Sequence, residues 1–416
     1  MNTAKIRKTT SYIMAVPMKD MDINTPQMIY DRINDSDEFK LKNISFDDKN
    51  VCPMLTVVYN GLEYIVDVKV ETLQIDPDYI FCHPMPDECI RTLKKAKIGL
   101  TVSITFSDDI INSYFFQIKL LNCILPDKAA VIDFNTHRIL SPMWIESAAR
   151  SSAAPGPGYM FSINVIGGNG DKVWIHTHGL NRCGFVELEV LDCVKENVNT
   201  YASILSITSN KIISENDMPD EMKPMNIASL ENSQNLSVTW RLWKDVINDY
   251  PDNIPGVGTS RTREHCFFNG ILYIYPLVKK NKKPCKATDV HNINLENAII
   301  EIASSETERM RIIAVETIPQ LTKGFSIPGA KAIVKIEIDA SENNNNPVNY
   351  EHIWAELNEI GIDDITCSSI QNSVFSDTLR QDDKIRSKIT NITDWALNIN
   401  GKRISPDCAF LVDNIN

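Results

Sequence analysis

The sequence predicts an α+β protein, with mixed or antiparallel sheets, helices packed on one face, and two to three domains. Three observations lead there. Strand and helix patterns succeed one another over the first ~150 residues, as layered α and β structure requires. Three glycine-containing turns (Asn60-Gly61, Gly167–Gly170 and Asn269-Gly270) separate β-rich runs and so join neighbouring strands antiparallel. At 416 residues the chain is longer than one hydrophobic core sustains.

The elements follow in order. SYIMAVP (Ser11–Pro17) reads as a strand, and Thr25 with Pro26 opens a helix over TPQMIYDRIND. MLTVVYNGLEYIVDVKV is a hairpin about Asn60-Gly61, and Asp87 opens the helix ECIRTLKKAK. GLTVSITF is a strand, INSYFFQIKLLNCIL an apolar helix and AAVIDF a buried strand. Ser141-Pro142 starts a short helix to Ala149. SSAAPGPG (Ser151–Gly158) then breaks the pattern as a candidate boundary. YMFSINVI, DKVWIHTH and FVELEVLDCV are strands, and ENVNTYASILSITSNKII is a helix. Residues 215–233 read as a surface connection, and SVTWRLWKDVINDY as an amphipathic helix with a Trp240, Trp243, Ile247 and Tyr250 stripe. EHCFFNGILYIYPLV is a strand pair, and Ser305 with Glu308 forms a capping box before ERMRIIAVETI. AIVKIEI is a strand, ASENNNNPVN a polar stretch, YEHIWAELNEI a strand and LRQDDKIRSKI a helix, before ITDWALNING. The domains expected are 1–150, 151–324 with the histidine-bearing hairpin, and 325–416.

Composition narrows the function. Charged residues are 23% and hydrophobic residues 43%, which suits a globular protein with a sizeable core. The formal charge of −12 argues against a nucleic-acid or anionic-membrane partner, since both demand a surplus of Lys and Arg. It suits a basic protein partner. No signal peptide or ~18-residue apolar span is evident. The ten cysteines form no close C-x-x-C pair and read as reduced thiols, so a cytoplasmic protein is expected.

One stretch concentrates chemistry, WIHTHGLNRCGFVELE from Trp174 to Glu189. His176 and His178, two apart on a strand, share a face. Cys183, Glu187 and Glu189 follow, with Gly179 and Gly184 bracketing the turn. The plain reading is a structural hairpin end whose glycines supply positive φ. The sharper one is a divalent metal such as zinc on His176, His178 and Glu189, serving a hydrolase. The spacing resembles the metalloisopeptidase signature H-x-H-P…Ser…Asp. Here Gly179 stands for its Pro, Val186 for its Ser and Glu189 for its Asp, so the oxyanion-stabilising hydroxyl is missing. A cysteine nucleophile would pair Cys183 with His176 or His265; His265-Cys266 and His352/Trp354 could join from elsewhere. No phosphate-loop or dinucleotide motif occurs.

VWIHTHGLNRCGFVELE, the upstream QIKLL and RILSPMWIESAA, and the later SETERMRIIAVE resemble the bacterial family named domain of unknown function 4026, from about Ser11 to about Ile318. EHIWAELNEI with ITDWALNINGKRI is similar to domain of unknown function 2314. Neither resemblance brings an activity or a catalytic residue. They imply a bacterial cytosolic protein, and such families often sit beside toxin and immunity genes, which implies a binding role. The expectation is a non-enzymatic protein-binding protein, toxin-neutralising or regulatory, without cofactor, membrane or nucleic acid. The alternative is the H-x-H metal hydrolase.

Overall fold

The computed structural model describes residues 6–19, 26–46, 53–168, 170–230, 234–259, 261–263, 269–277, 283–290, 293–296, 298–339, 350–373 and 379–415. It is α+β, built on three sheets. The chain divides into two compact units. One comprises residues 1–149 with 157–303; the other comprises 150–156 with 304–416.

The first unit starts with the strands β1 (Ser11–Pro17), β2 (Lys40–Phe46), β3 (Pro53–Tyr59), β4 (Leu62–Thr72), β5 (Ile80–Phe81), β6 (Ile98–Ile104), β7 (Lys128–Asp133) and β8 (Arg138–Leu140). They lie in the order β2-β3-β4-β6-β1-β7-β8-β5, and only the β5–β8 pair is parallel. Asn60 and Gly61 both have positive φ, the backbone that a two-residue hairpin with matching twist demands. Helices α1 (Pro26–Asn34), α2 (Asp87–Lys95), α3 (Ile110–Ile124) and α4 (Pro142–Arg150) accompany this sheet. Thr25, the expected cap, lies outside the described residues. α3 is buried along most of its length, which explains its apolar run. Buried Gln117 on α3 donates to the Ser11 and Val102 carbonyls at 3.0 and 2.9 Å, tying helix to sheet.

The same unit contains β9 (Ser162–Gly167), β10 (Lys172–His178), β11 (Leu188–Val194), β12 (Met225–Ser229), β13 (Asn235–Leu242), β14 (Gly270–Ile274), β15 (Cys285–Lys286) and β16 (Ile299–Ile300). The order is β16-β12-β13-β14-β11-β10-β9, with β15 also on β14. Helix α5 (Val198–Glu215) packs on β9, β10 and β11. Two expectations are corrected here. The segment 215–233 contributes β12, and SVTWRLW is strand β13, with only a four-residue helix α6 (Trp243–Val246) after it. The physical reason is visible in the sequence. Leu236, Val238, Trp240 and Leu242 alternate and are all buried, a period of two that the tryptophan spacing disguises. The first half of EHCFFNGILYIYPLV, with His265 and Cys266, lies outside the described residues.

In the second unit, α7 (Ser304–Glu316) and α8 (Ile318–Phe325) precede β17 (Lys331–Asp339), β18 (Tyr350–Ile360), β19 (Asp364–Ser369), β20 (Lys384–Lys388), β21 (Ile392–Ile399) and β22 (Lys402–Ile404). The sheet is antiparallel throughout, ordered β20-β19-β18-β17-β21-β22. Alternate residues Val334, Ile336, Ile353, Ala355 and Trp395 form its core. The Trp395 indole donates to the Ala314 carbonyl at 3.2 Å, so α7 and α8 belong to this unit, not to a central domain reaching 324. Residue 305 lies inside α7 rather than capping it. LRQDDKIRSKI is not helical. It turns at Asp382 (φ 71) and becomes β20, whose Lys384, Arg386 and Lys388 all face outward. The stretch 340–349 lies outside the described residues.

Candidate functional site

The Trp174–Glu189 stretch sits where the two sheets of the first unit meet. β10 places Trp174, His176 and His178 on one face, as their spacing dictates. Glu189 on β11 lies directly opposite His176. Between the strands, residues 180–183 form a tight helical turn flanked by Gly179 (φ 110) and Gly184 (φ 89). A Cβ on Gly179 would lie 2.4 Å from the Met160 carbonyl oxygen, so this position requires glycine twice over.

Glu187 holds that turn together. Its carboxylate accepts from the Gly179 and Asn181 backbone N–H groups at 2.8 and 3.0 Å, and from the Thr177 hydroxyl at 2.7 Å. Burial pushes its pKa up, and these three donors work against that rise. Cys183 is buried, and burial raises its thiol to about 12. A thiol held that far up is not a nucleophile at neutral pH.

Glu189 faces the other way, towards Arg263. The guanidinium donates to it at 2.6 Å, the Trp174 indole at 3.0 Å, and Asn269 adds a further bond. Burial raises the Glu189 pKa, while Arg263 and the two other donors oppose the shift. Arg263 in turn stacks over Trp174 and Trp243, its central carbon 5.1 and 4.9 Å from their ring centres.

The two histidines meet edge to face, their Nε2 atoms 3.0 Å apart. His176 also stacks on Trp174 at 3.9 Å. On the other side, His178 lies 4.5 Å from the ring of His137, and His137 lies 5.2 Å from Tyr79. His137 ends the turn between β7 and β8 with a left-handed φ of 54, so the aromatic row runs from the first sheet into the second. Burial, then repulsion from His178, Arg263 and His137, lowers the His176 pKa to about 3. Burial and His137 lower that of His178 to about 4. Both rings are therefore neutral near pH 7, and one donates to the other.

The facial set His176, His178 and Glu189 fits a metal poorly. The carboxylate is taken up by three donors, and His176 Nδ1 is buried without a partner. A metal-bound imidazole normally donates its second N–H to a carbonyl or carboxylate. Among the described residues, no three His, Cys, Asp or Glu side chains gather to hold an ion. His352 belongs to the second unit, where its Nδ1 lies 3.2 Å from the Thr393 hydroxyl.

Arg182, in the middle of the stretch, is the residue that sequence reasoning passed over. Fully buried, it meets the equally buried Asp133 of β7 at 3.0 Å. It also donates to the Met160 carbonyl at 2.9 Å and the Ser11 hydroxyl at 3.2 Å, and it lies 4.9 Å from the Tyr114 ring. Burial works against its charge, but Asp133, Tyr114 and Cys183 together outweigh it, and its pKa is raised. The signal was an arginine enclosed by Leu180, Cys183 and Phe185 between two glycines, a setting in which a solvated side chain is unexpected.

Fold and site define a class: an α+β protein whose histidine-bearing hairpin is stitched by a buried ion pair into the sheet before it. Residues 11–155 match the family described as protein of unknown function (DUF4026), N-terminal, and residues 163–273 match its C-terminal part. Together these matches cover more than half of the chain, which belongs to that family. Residues 322–409 match an uncharacterized protein family conserved in bacteria (DUF2314). Nothing among the curated proteins or the solved structures matches the chain.

Proposed function

We propose that this chain is a non-enzymatic cytoplasmic protein that acts by binding another protein, of basic character, in a neutralising or regulatory role. One observation carries the reading: the reactive groups of the Trp174–Glu189 stretch are spent on architecture. Glu187 secures a turn, Glu189 an arginine, and Cys183 is a buried thiol raised to about 12. The charge of −12 supports a basic partner, which it would steer at low salt. Among the described residues no helix is long and apolar enough to cross a membrane.

The alternative, a metal-dependent hydrolase on His176 and His178, draws support from one spacing. Nitrogen atoms 3.0 Å apart suit two neighbouring ligands of an ion held at roughly 2.0–2.1 Å from each. Elemental mass spectrometry on the untagged protein separates the readings. The binding reading expects no stoichiometric transition metal, and a His176→Ala, His178→Ala variant that still engages the same basic partner. It also expects an association rate that falls as salt rises. One equivalent of zinc, absent from a folded double variant, would overturn it.

A further inference from the structure

Strands at the edge of a sheet expose unpaired backbone groups, and proteins usually blunt them with charges, bulges or brevity. Among the described residues, five of the six sheet edges follow that practice. β2 carries Lys40 and Lys42 and a register irregularity between Leu41 and Asn43. β20 presents Lys384, Arg386 and Lys388. β5 and β16 are two residues long, and β22 is three residues with Lys402 and Arg403 exposed.

β9 is the exception. Its six residues, SINVIG, pair with β10 on one side, and among the described residues no strand lies on the other. Val165 and Ile166, which point to opposite faces, are 45% and 46% exposed. The surroundings share its character. Pro157–Gly170 contains no charged residue, and neither does Val198–Asn210 of the helix packed on β9. That is unusual in a chain with 42 basic and 54 acidic residues.

We infer that β9 is a homodimer interface, on which the same strand of a second copy adds antiparallel about a two-fold axis. Charge selects this occupant. A strand that pairs with its own copy brings like residues together, and any charge near the axis would face itself. An uncharged edge avoids that repulsion between two chains that each carry −12 overall. With the axis at Asn164, Ile163 lies opposite Val165 of the partner subunit, so four aliphatic side chains meet across the join. The inference is independent of the partner-binding reading above, because it is read as oligomeric state.

Sedimentation equilibrium of the full chain under reducing conditions, from about 1 to 100 µM, tests it. One strand pair is a small interface, so a reversible dimer that dissociates on dilution is expected. Val165→Lys should weaken it by at least ~10-fold, and Ile166→Lys, on the opposite face, should do the same. Ile362→Lys, at a position 94% exposed on the second unit, should leave it unchanged. Circular dichroism confirms that each variant is folded. A wild-type chain that stays monomeric across the range, or a dimer that both β9 lysines leave intact, would overturn the inference.

Discussion

Arg182 and Asp133 are two buried charges in contact, and a buried pair is costly to break from one side. Arg182→Met keeps the apolar bulk but leaves Asp133 without a counter-charge. It should destabilise the first unit by about 3–5 kcal/mol, read by urea unfolding. Adding Asp133→Asn should recover part of that loss, because it removes the stranded carboxylate. A cost below about 1 kcal/mol for Arg182→Met would show that the pair does not hold hairpin to sheet.

At the scale of elements, β10 makes stability depend on pH. His176 and His178 have folded pKa values of about 3 and about 4, below the ordinary 6.5. The unfolded chain therefore takes up protons first. Stability is complete above pH 6.5 and is lost as pH falls from there towards 3. At pH 4, His176 alone corresponds to a loss on the order of 3 kcal/mol. A His176→Gln, His178→Gln variant should show a flatter profile across that window, measured by denaturant melts at several pH values. Identical wild-type and variant profiles would rule out the histidine pair as the source. The composition and spacing of β10 made its shared face legible, as they did for β1, the Asn60-Gly61 hairpin and α3. What lay beyond reach were partners distant in sequence. Nothing local tells that Glu189 meets Arg263, or that Arg182 meets Asp133, since the first depends on which strands pair and the second on which sheets adjoin. β13 and β20 were lost for another reason. Their spacing also satisfies a helix over a few residues, and only neighbouring strands decide between the two.

On the scale of the whole molecule, the chain leaves its first unit at residue 150, contributes seven residues to the second, and returns at 157. Glu316 on α7 receives that visiting segment. It accepts from the Ser151 hydroxyl at 2.6 Å, the Ser152 backbone N–H at 3.0 Å and the Ser152 hydroxyl. Glu316→Ala should lower the stability of the second unit by about 1–2 kcal/mol. Calorimetry of the full chain should then show one component shifted and the other unmoved; a uniform shift would contradict the division.

That detour also sets an order on biosynthesis. A ribosome adding ~5–20 residues per second needs roughly 7 to 30 seconds to make Pro157–Ala303 once residues 150–156 have emerged. The first unit can close around its buried ion pairs in that interval. The seven residues meanwhile stay tethered at both ends, a slack loop awaiting α7. The second unit is thus completed after the first, and it is assembled from a later part of the nascent chain together with a fragment that left the exit tunnel long before.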